Sequence, residues 1–175
     1  MKTLFFDVDT QVDFVRPSGA LYVPGAEKVV PAVAQLNRWA VSHGIPLIST
    51  ADCHAENDAE FRSWPPHCVG GTWGQRKPDE TMVGQVVLNK TMLDCFESPE
   101  LAPLLASVGA ERCVVYGVVT EICVRLAAFG LLKTGRRVEI VADAVRELDA
   151  AAAARMFGEF AAAGGTVTTV PAVCR

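Results

Sequence analysis

Six apolar runs of strand length recur along the chain: Thr3–Val8, Pro46–Thr50, Gln85–Asn89, Cys113–Gly117, Val138–Ala142 and Thr166–Val170. Each is short, rich in Val, Ile or Leu, and bounded by glycine or charge. Near-continuous apolar runs of this length indicate strands buried on both faces, not strands with one wet side. Helical patterns lie between most of them. Val29, Val33, Leu36 and Ala40 mark one face of a helix that stops at Gly44. Thr120 is placed to cap a helix running to Gly135, and Asp149 a helix running to Gly164. Strand–helix alternation predicts an α/β fold of three layers, αβα, around a mainly parallel sheet of about six strands.

The chain of 175 residues is expected to form one domain, residues 1–175, with a sizeable core. Half of it is apolar, yet no run of eighteen apolar residues occurs, so no membrane partner is expected. The apolar stretch at the start is too short for a signal peptide. Net charge is −4 and no basic cluster extends beyond a pair such as Arg136-Arg137, which argues against nucleic-acid partners. The six cysteines, at 53, 68, 95, 113, 123 and 174, are irregularly spaced and form no CxxC. A cytoplasmic protein with reduced thiols is the expectation.

In open parallel sheets, sites form outside the carboxyl ends of the strands. Asp9 follows the first run, Asp52 the second, Lys90 the third, and the Gly117–Cys123 turn the fourth. Taken alone, Asp9 or Lys90 is well explained as half of a strand-end salt bridge. Four such deliveries at one edge are harder to assign to chance.

Two of the three histidines, His54 and His67, share a span of sixteen positions with Asp52 and Glu60. Mixed imidazole and carboxylate donors suit a divalent transition metal, zinc first, with iron or manganese as alternatives, better than calcium or magnesium. Glu56 and Asp58 compete with Glu60, and a solvated acidic loop would account for all three.

Cys123 sits where a strand turns into a helix. Unpaired amides and the helix dipole in a first turn favour a thiolate and could hold an oxyanion. With His54 and His67 assigned to metal, only His43 remains, at a helix end. The base would therefore be a carboxylate or a lysine, and Asp9 and Lys90 supply both. The other five cysteines read as small buried hydrophobes.

The ordered set Asp9-Thr10-Gln11-Val12-Asp13-Phe14, Asp52-x-His54, Trp64-Pro65-Pro66-His67-Cys68, Lys90-Thr91 and Gly117-Val118-Val119-Thr120-Glu121-x-Cys123-Val124 resembles the isochorismatase-like cysteine hydrolases, and within them the nicotinamidase branch. The resemblance covers almost the whole chain. It implies a triad of Asp9, Lys90 and Cys123, in which Asp9 takes the thiol proton and Lys90 holds Asp9 ionised. It implies a cis peptide at Val118–Val119, with the amides of Val119 and Cys123 as oxyanion hole. It also implies one metal on Asp52, His54, Glu60 and His67 that meets a pyridine nitrogen, and Phe14 and Trp64 as walls of the ring pocket. Plain core packing is the competing account of the two aromatics.

The substrate so implied is nicotinamide, hydrolysed to nicotinate and ammonia through a thioester. A sister hydrolase acting on a maleamate, carbamoyl or ureido compound is the alternative, and a non-catalytic metal-binding domain a further one. Members of the family often assemble as homo-oligomers. Asp7 adds a second carboxylate close to Asp9.

Overall fold

A computed structural model describes all 175 residues. The strands are β1 (Thr3–Val8), β2 (Leu47–Asp52), β3 (Val86–Lys90), β4 (Arg112–Val118), β5 (Arg137–Arg146) and β6 (Thr166–Thr168). They form one sheet in the order β3-β2-β1-β4-β5-β6, and every neighbouring pair is parallel. The helices are α1 (Val12–Val15), α2 (Val30–Ser42), α3 (Leu101–Val108), α4 (Arg125–Lys133), α5 (Ala150–Ala162) and α6 (Val170–Val173).

Every residue of β2, and every residue of β1 after Thr3, is buried. Successive strand residues face opposite ways, so unbroken burial means that both faces of the central sheet are covered. The edge strands β3 and β6 are only partly buried. The periodic face of α2 reads as predicted: Val33, Leu36 and Ala40 are fully buried. Asp149 caps α5 by accepting from the Ala152 amide at 2.8 Å.

Some boundaries differ from the sequence expectation. Asp52 and Lys90 are the last residues of their strands and are register partners, so they belong to the sheet itself. The sixth run ends at Thr168, because Val170 opens the short helix α6. Helix α3 carried no signal, since Pro103 reads as a breaker. It lies in the first turn, where a missing N–H costs nothing.

The strand order reverses between β1 and β4, which makes their carboxyl ends the expected site. There Gly117 pairs with Val8, and its φ of +118° belongs to the left-handed region. A Cβ on Gly117 would lie 2.0 Å from the Val8 carbonyl oxygen. A methyl on Gly158, inside α5, would meet nothing within 4 Å. Gly117→Ala should therefore cost more than about 3 kcal/mol in urea unfolding. Gly158→Ala should add about 0.5–1 kcal/mol.

Candidate active site

Four strands deliver side chains to the switch point. Asp9 leaves β1 with a left-handed φ of 47°. Asp9 and Cys68 are the two non-glycine residues with positive φ, and both lie at this site. Such backbone costs about 1–3 kcal/mol and concentrates at functional positions. Lys90 Nζ is 2.9 Å from Asp9 Oδ2 and 2.5 Å from Asp52 Oδ1, and it donates to the Met92 carbonyl at 3.0 Å. All three side chains are buried or nearly so, and the ammonium is fully engaged.

Burial works against the Lys90 charge, but attraction to the Asp9 and Asp52 carboxylates outweighs it and holds the ammonium well above its ordinary range. One lysine serves two carboxylates. Asp52 is pushed up to about 7, first by burial and then by the Asp9 charge, against the pull of Lys90 and His54.

Asp9 Oδ1 accepts a hydrogen bond from Thr50 Oγ1 at 2.6 Å. Its Oδ2 touches Lys90 off the angle of a hydrogen bond and accepts none. That oxygen is available for a proton.

Cys123 lies in a wide π-type turn, Thr120–Val124, that leads into α4. Val119, not Thr120, occupies the cap position, and its carbonyl accepts from the amides of Ile122 and Val124. Thr120 is already inside the turn, so its hydroxyl does not cap and is left without a partner. The thiolate expected from the helix terminus is also corrected. Burial first, and the Asp9 charge next, push the Cys123 thiol well above its ordinary value, with Lys90 pulling the other way. The neutral thiol is therefore favoured over the thiolate. The Val118–Val119 peptide is cis, and Val119 and Cys123 both line the adjoining pocket.

Asp52, His54 and His67 form a tight donor cluster, with one ligating atom of each within 4.8 Å of the others. His54 Nδ1 is 3.1 Å from Asp58 Oδ2, and His67 Nδ1 is 2.7 Å from the Pro65 carbonyl. Both rings thus turn Nε2 inward. His54 Nε2 is buried without a hydrogen-bond partner. Burial also holds the His67 imidazole below its ordinary pKa, so the neutral ligand form is favoured. An orphaned imidazole nitrogen, a second carboxylate short of a cation and an N/O donor set all fit a divalent transition metal. Glu60 Oε1 is 3.8 Å from His67 Nε2 but is outside the mutual cluster. Asp58 orients His54 from behind, and Glu60 is the carboxylate on the pocket side.

The pocket lies between the thiol and this cluster. Phe14 and Trp64 line it, with Leu21, Tyr22, Val23, Leu93, Ile122 and Leu148. Its charged lining groups, Asp52 and Glu60, are acidic, and no Lys or Arg faces it.

Three contributors were not singled out as site residues from the sequence. Gln11 clips the Asp52 backbone from both sides, accepting from its amide at 2.6 Å and donating to its carbonyl at 2.8 Å. Asp13 accepts from the amides of Cys68 at 2.7 Å and Ala20 at 2.9 Å, which ties the His67 loop to α1. Gly74 packs so closely on the Asp13 carboxylate that a Cβ would lie 2.2 Å from it. Phe61 stands beside both histidine rings, 5.4 and 5.7 Å between centroids. The signal for the first two was the Asp-x-Gln-x-Asp-Phe spacing. Read for the base alone, it hid two buried polar side chains that needed partners.

The chain matches the family model described as the Isochorismatase domain over residues 3–172, and it belongs to the isochorismatase family. It is 25% identical to a nicotinamidase of Escherichia coli, across 93% of this chain and 92% of that protein. A maleamate amidohydrolase of Pseudomonas putida is 28% identical across 82% of this chain and 72% of its own length. Among solved structures, a pyrazinamidase of Pyrococcus horikoshii in complex with zinc superposes with a TM-score of 0.90 at 32% identity, covering 97% of this chain and 99% of that one.

Asp13→Asn keeps the shape but turns one acceptor into a donor facing an amide. The Cys68 and Ala20 amides should then exchange faster, with about 1–3 kcal/mol lost from local opening in hydrogen-exchange mass spectrometry.

Proposed function

We propose that the protein is a cysteine amidohydrolase of the nicotinamidase type, which hydrolyses a small neutral aromatic carboxamide, nicotinamide first, to the carboxylate and ammonia. The observation that carries this reading is the pocket: apolar, free of Lys and Arg, and set between Cys123 and the Asp52, His54 and His67 donors. A substrate bearing its own carboxylate, such as a maleamate, would meet no Lys or Arg there and would lie against the acidic Asp52 and Glu60, with only a metal on the donor cluster to offset them. Amide hydrolysis is common to the named relatives, and the pocket chemistry selects among their substrates.

In the proposed reaction Asp9 Oδ2 takes the Cys123 proton. The sulfur then forms a bond to the amide carbon, and the oxyanion lies against the amides of Val119 and Cys123. The C–N bond breaks as Asp9 returns the proton to the departing nitrogen, releasing ammonia and leaving a thioester. Asp9 next takes a proton from water, whose oxygen adds to the thioester carbon. The C–S bond breaks, the carboxylic acid forms and the thiol is restored. Lys90 keeps Asp9 ionised and aimed. Phe14 and Trp64 flank the ring. A divalent metal on Asp52, His54 and His67, with Glu60 beside it and zinc the first to test, would supply a Lewis-acidic point for a ring nitrogen.

Ammonia release should be lost in Cys123→Ala while the fold is kept. Wild-type protein should turn over nicotinamide much faster than benzamide, which lacks the ring nitrogen, and faster than maleamate, which carries a charge. Equal rates on maleamate would replace the aromatic reading with the sister activity. Retained turnover in Cys123→Ala would remove the covalent mechanism.

The hydrogen bond between His54 and Asp58 sets a separate expectation. Asp58→Ala should weaken zinc binding to metal-stripped protein by about 10–100-fold, as loss of an outer-shell partner does. Titration with zinc alone, without any substrate, reads this directly.

A further inference from the structure

Asp9 has two carboxylate oxygens and two very different environments for them. Oδ2 faces Lys90 and has no hydrogen-bond donor. Oδ1 is held by Thr50, whose hydroxyl donates to it at 2.6 Å. The same hydroxyl oxygen lies 3.2 Å from the Asp9 amide, so one side chain grips both the backbone and the carboxylate of Asp9. Thr50 is completely buried in β2, paired with Leu88 of β3. Its own carbonyl accepts from Lys77 Nζ at 3.2 Å, and Lys77 is anchored by Asp7 at 3.2 Å. The grip is therefore backed by a second buried ion pair.

We propose that Thr50 is the positioning residue of the base: its hydroxyl fixes the Asp9 carboxylate so that Oδ2, and not Oδ1, meets the Cys123 thiol. The inference rests on the reading of Asp9 as the acceptor of the thiol proton. Lys90 approaches Oδ2 to 2.9 Å but is shared with Asp52, so the Thr50 hydroxyl is the hydrogen bond that fixes the rotation of the carboxylate. Thr50 is related to the thiol only through Asp9, so its effect should appear in the chemical step and not in substrate binding.

The test compares Thr50→Val, which keeps the shape and loses the hydroxyl, with Thr50→Ser, which keeps the hydroxyl. Two readouts are taken on folded, metal-loaded protein: the rate of Cys123 alkylation by iodoacetamide, and kcat and KM with nicotinamide. Thr50→Val should lower kcat by about a hundredfold at unchanged KM, and slow alkylation, because the acceptor is misaligned. Thr50→Ser should recover most of both. If Thr50→Val melts too low to assay, Thr50→Ala gives the same comparison against Thr50→Ser. Wild-type alkylation and kcat in the hydroxyl-free variant overturn the proposal. A Thr50→Ser variant as impaired as Thr50→Val also overturns it, since packing of the methyl would then be the cause. Asp9→Asn is the control. If Asp9→Asn alkylates and turns over like wild type, Asp9 is not the acceptor, and the role of Thr50 falls with it. If Asp9→Asn is inactive but Thr50→Val is not, only the role of Thr50 is removed.

Discussion

Lys90 is the interaction on which the site depends. It is buried, as are the two carboxylates it touches, and isolated charges in such a place are prohibitively costly. The ammonium makes Asp9 and Asp52 tolerable together. Through them it joins two chemistries, the thiol on the β4 side and the histidine cluster on the β2 side. The balance is still one positive charge short, because two carboxylates share one lysine. Burial first, and the Asp9 charge next, push Asp52 up to about 7, and the shortage of positive charge is why a cation beside His54 and His67 fits the donor set.

Around this pair the first motif acts as a fastener. Asp9 lies at the end of β1. Gln11, two residues on, clips Asp52, and Asp13, two further, holds the loop that carries His67. The backbone of residues 11–13 runs beside residues 74–76, with Gln11 donating to the Gln75 carbonyl and the Val12 and Asp13 amides donating to Arg76 and Gly74. Lys77 then plugs into Asp7. Asp7, which the sequence marked only as an extra carboxylate, proves to be the counter-charge that pins this strap beneath α2, with help from Thr10, Ser49 and Asn37.

The sheet was legible because its central strands are buried on both faces, and a short unbroken apolar run between helical patterns fits little else. The end-of-strand position of Asp9, Lys90 and Cys123 followed from that alone. What was hidden depended on three-dimensional bookkeeping. Thr120 looks like a cap by residue type, yet the turn at the nucleophile is wide and begins one residue earlier. The helix end at Cys123 suggests a thiolate, but burial and the neighbouring Asp9 carboxylate push the thiol up instead. Among Glu56, Asp58 and Glu60, composition cannot separate a ligand from an outer partner. The His54 ring sets Asp58 apart, since it turns Nδ1 to that carboxylate and Nε2 inward.

The raised Cys123 thiol and the apolar pocket together favour one order of events. A thiol held protonated by burial is poorly nucleophilic toward stray electrophiles. In the proposed reaction it becomes reactive only when Asp9 removes its proton, and Asp9 is held by Thr50 of β2 and Lys90 of β3. The pocket accepts an uncharged amide at little electrostatic cost. In the proposed reaction, hydrolysis of that amide would add a carboxylate next to Asp52 and Glu60. Like charges in a low-dielectric site repel strongly. Retention of the acid would therefore depend on how far a cation on Asp52, His54 and His67 offsets those charges, which makes the donor cluster a control on product release as well as on binding.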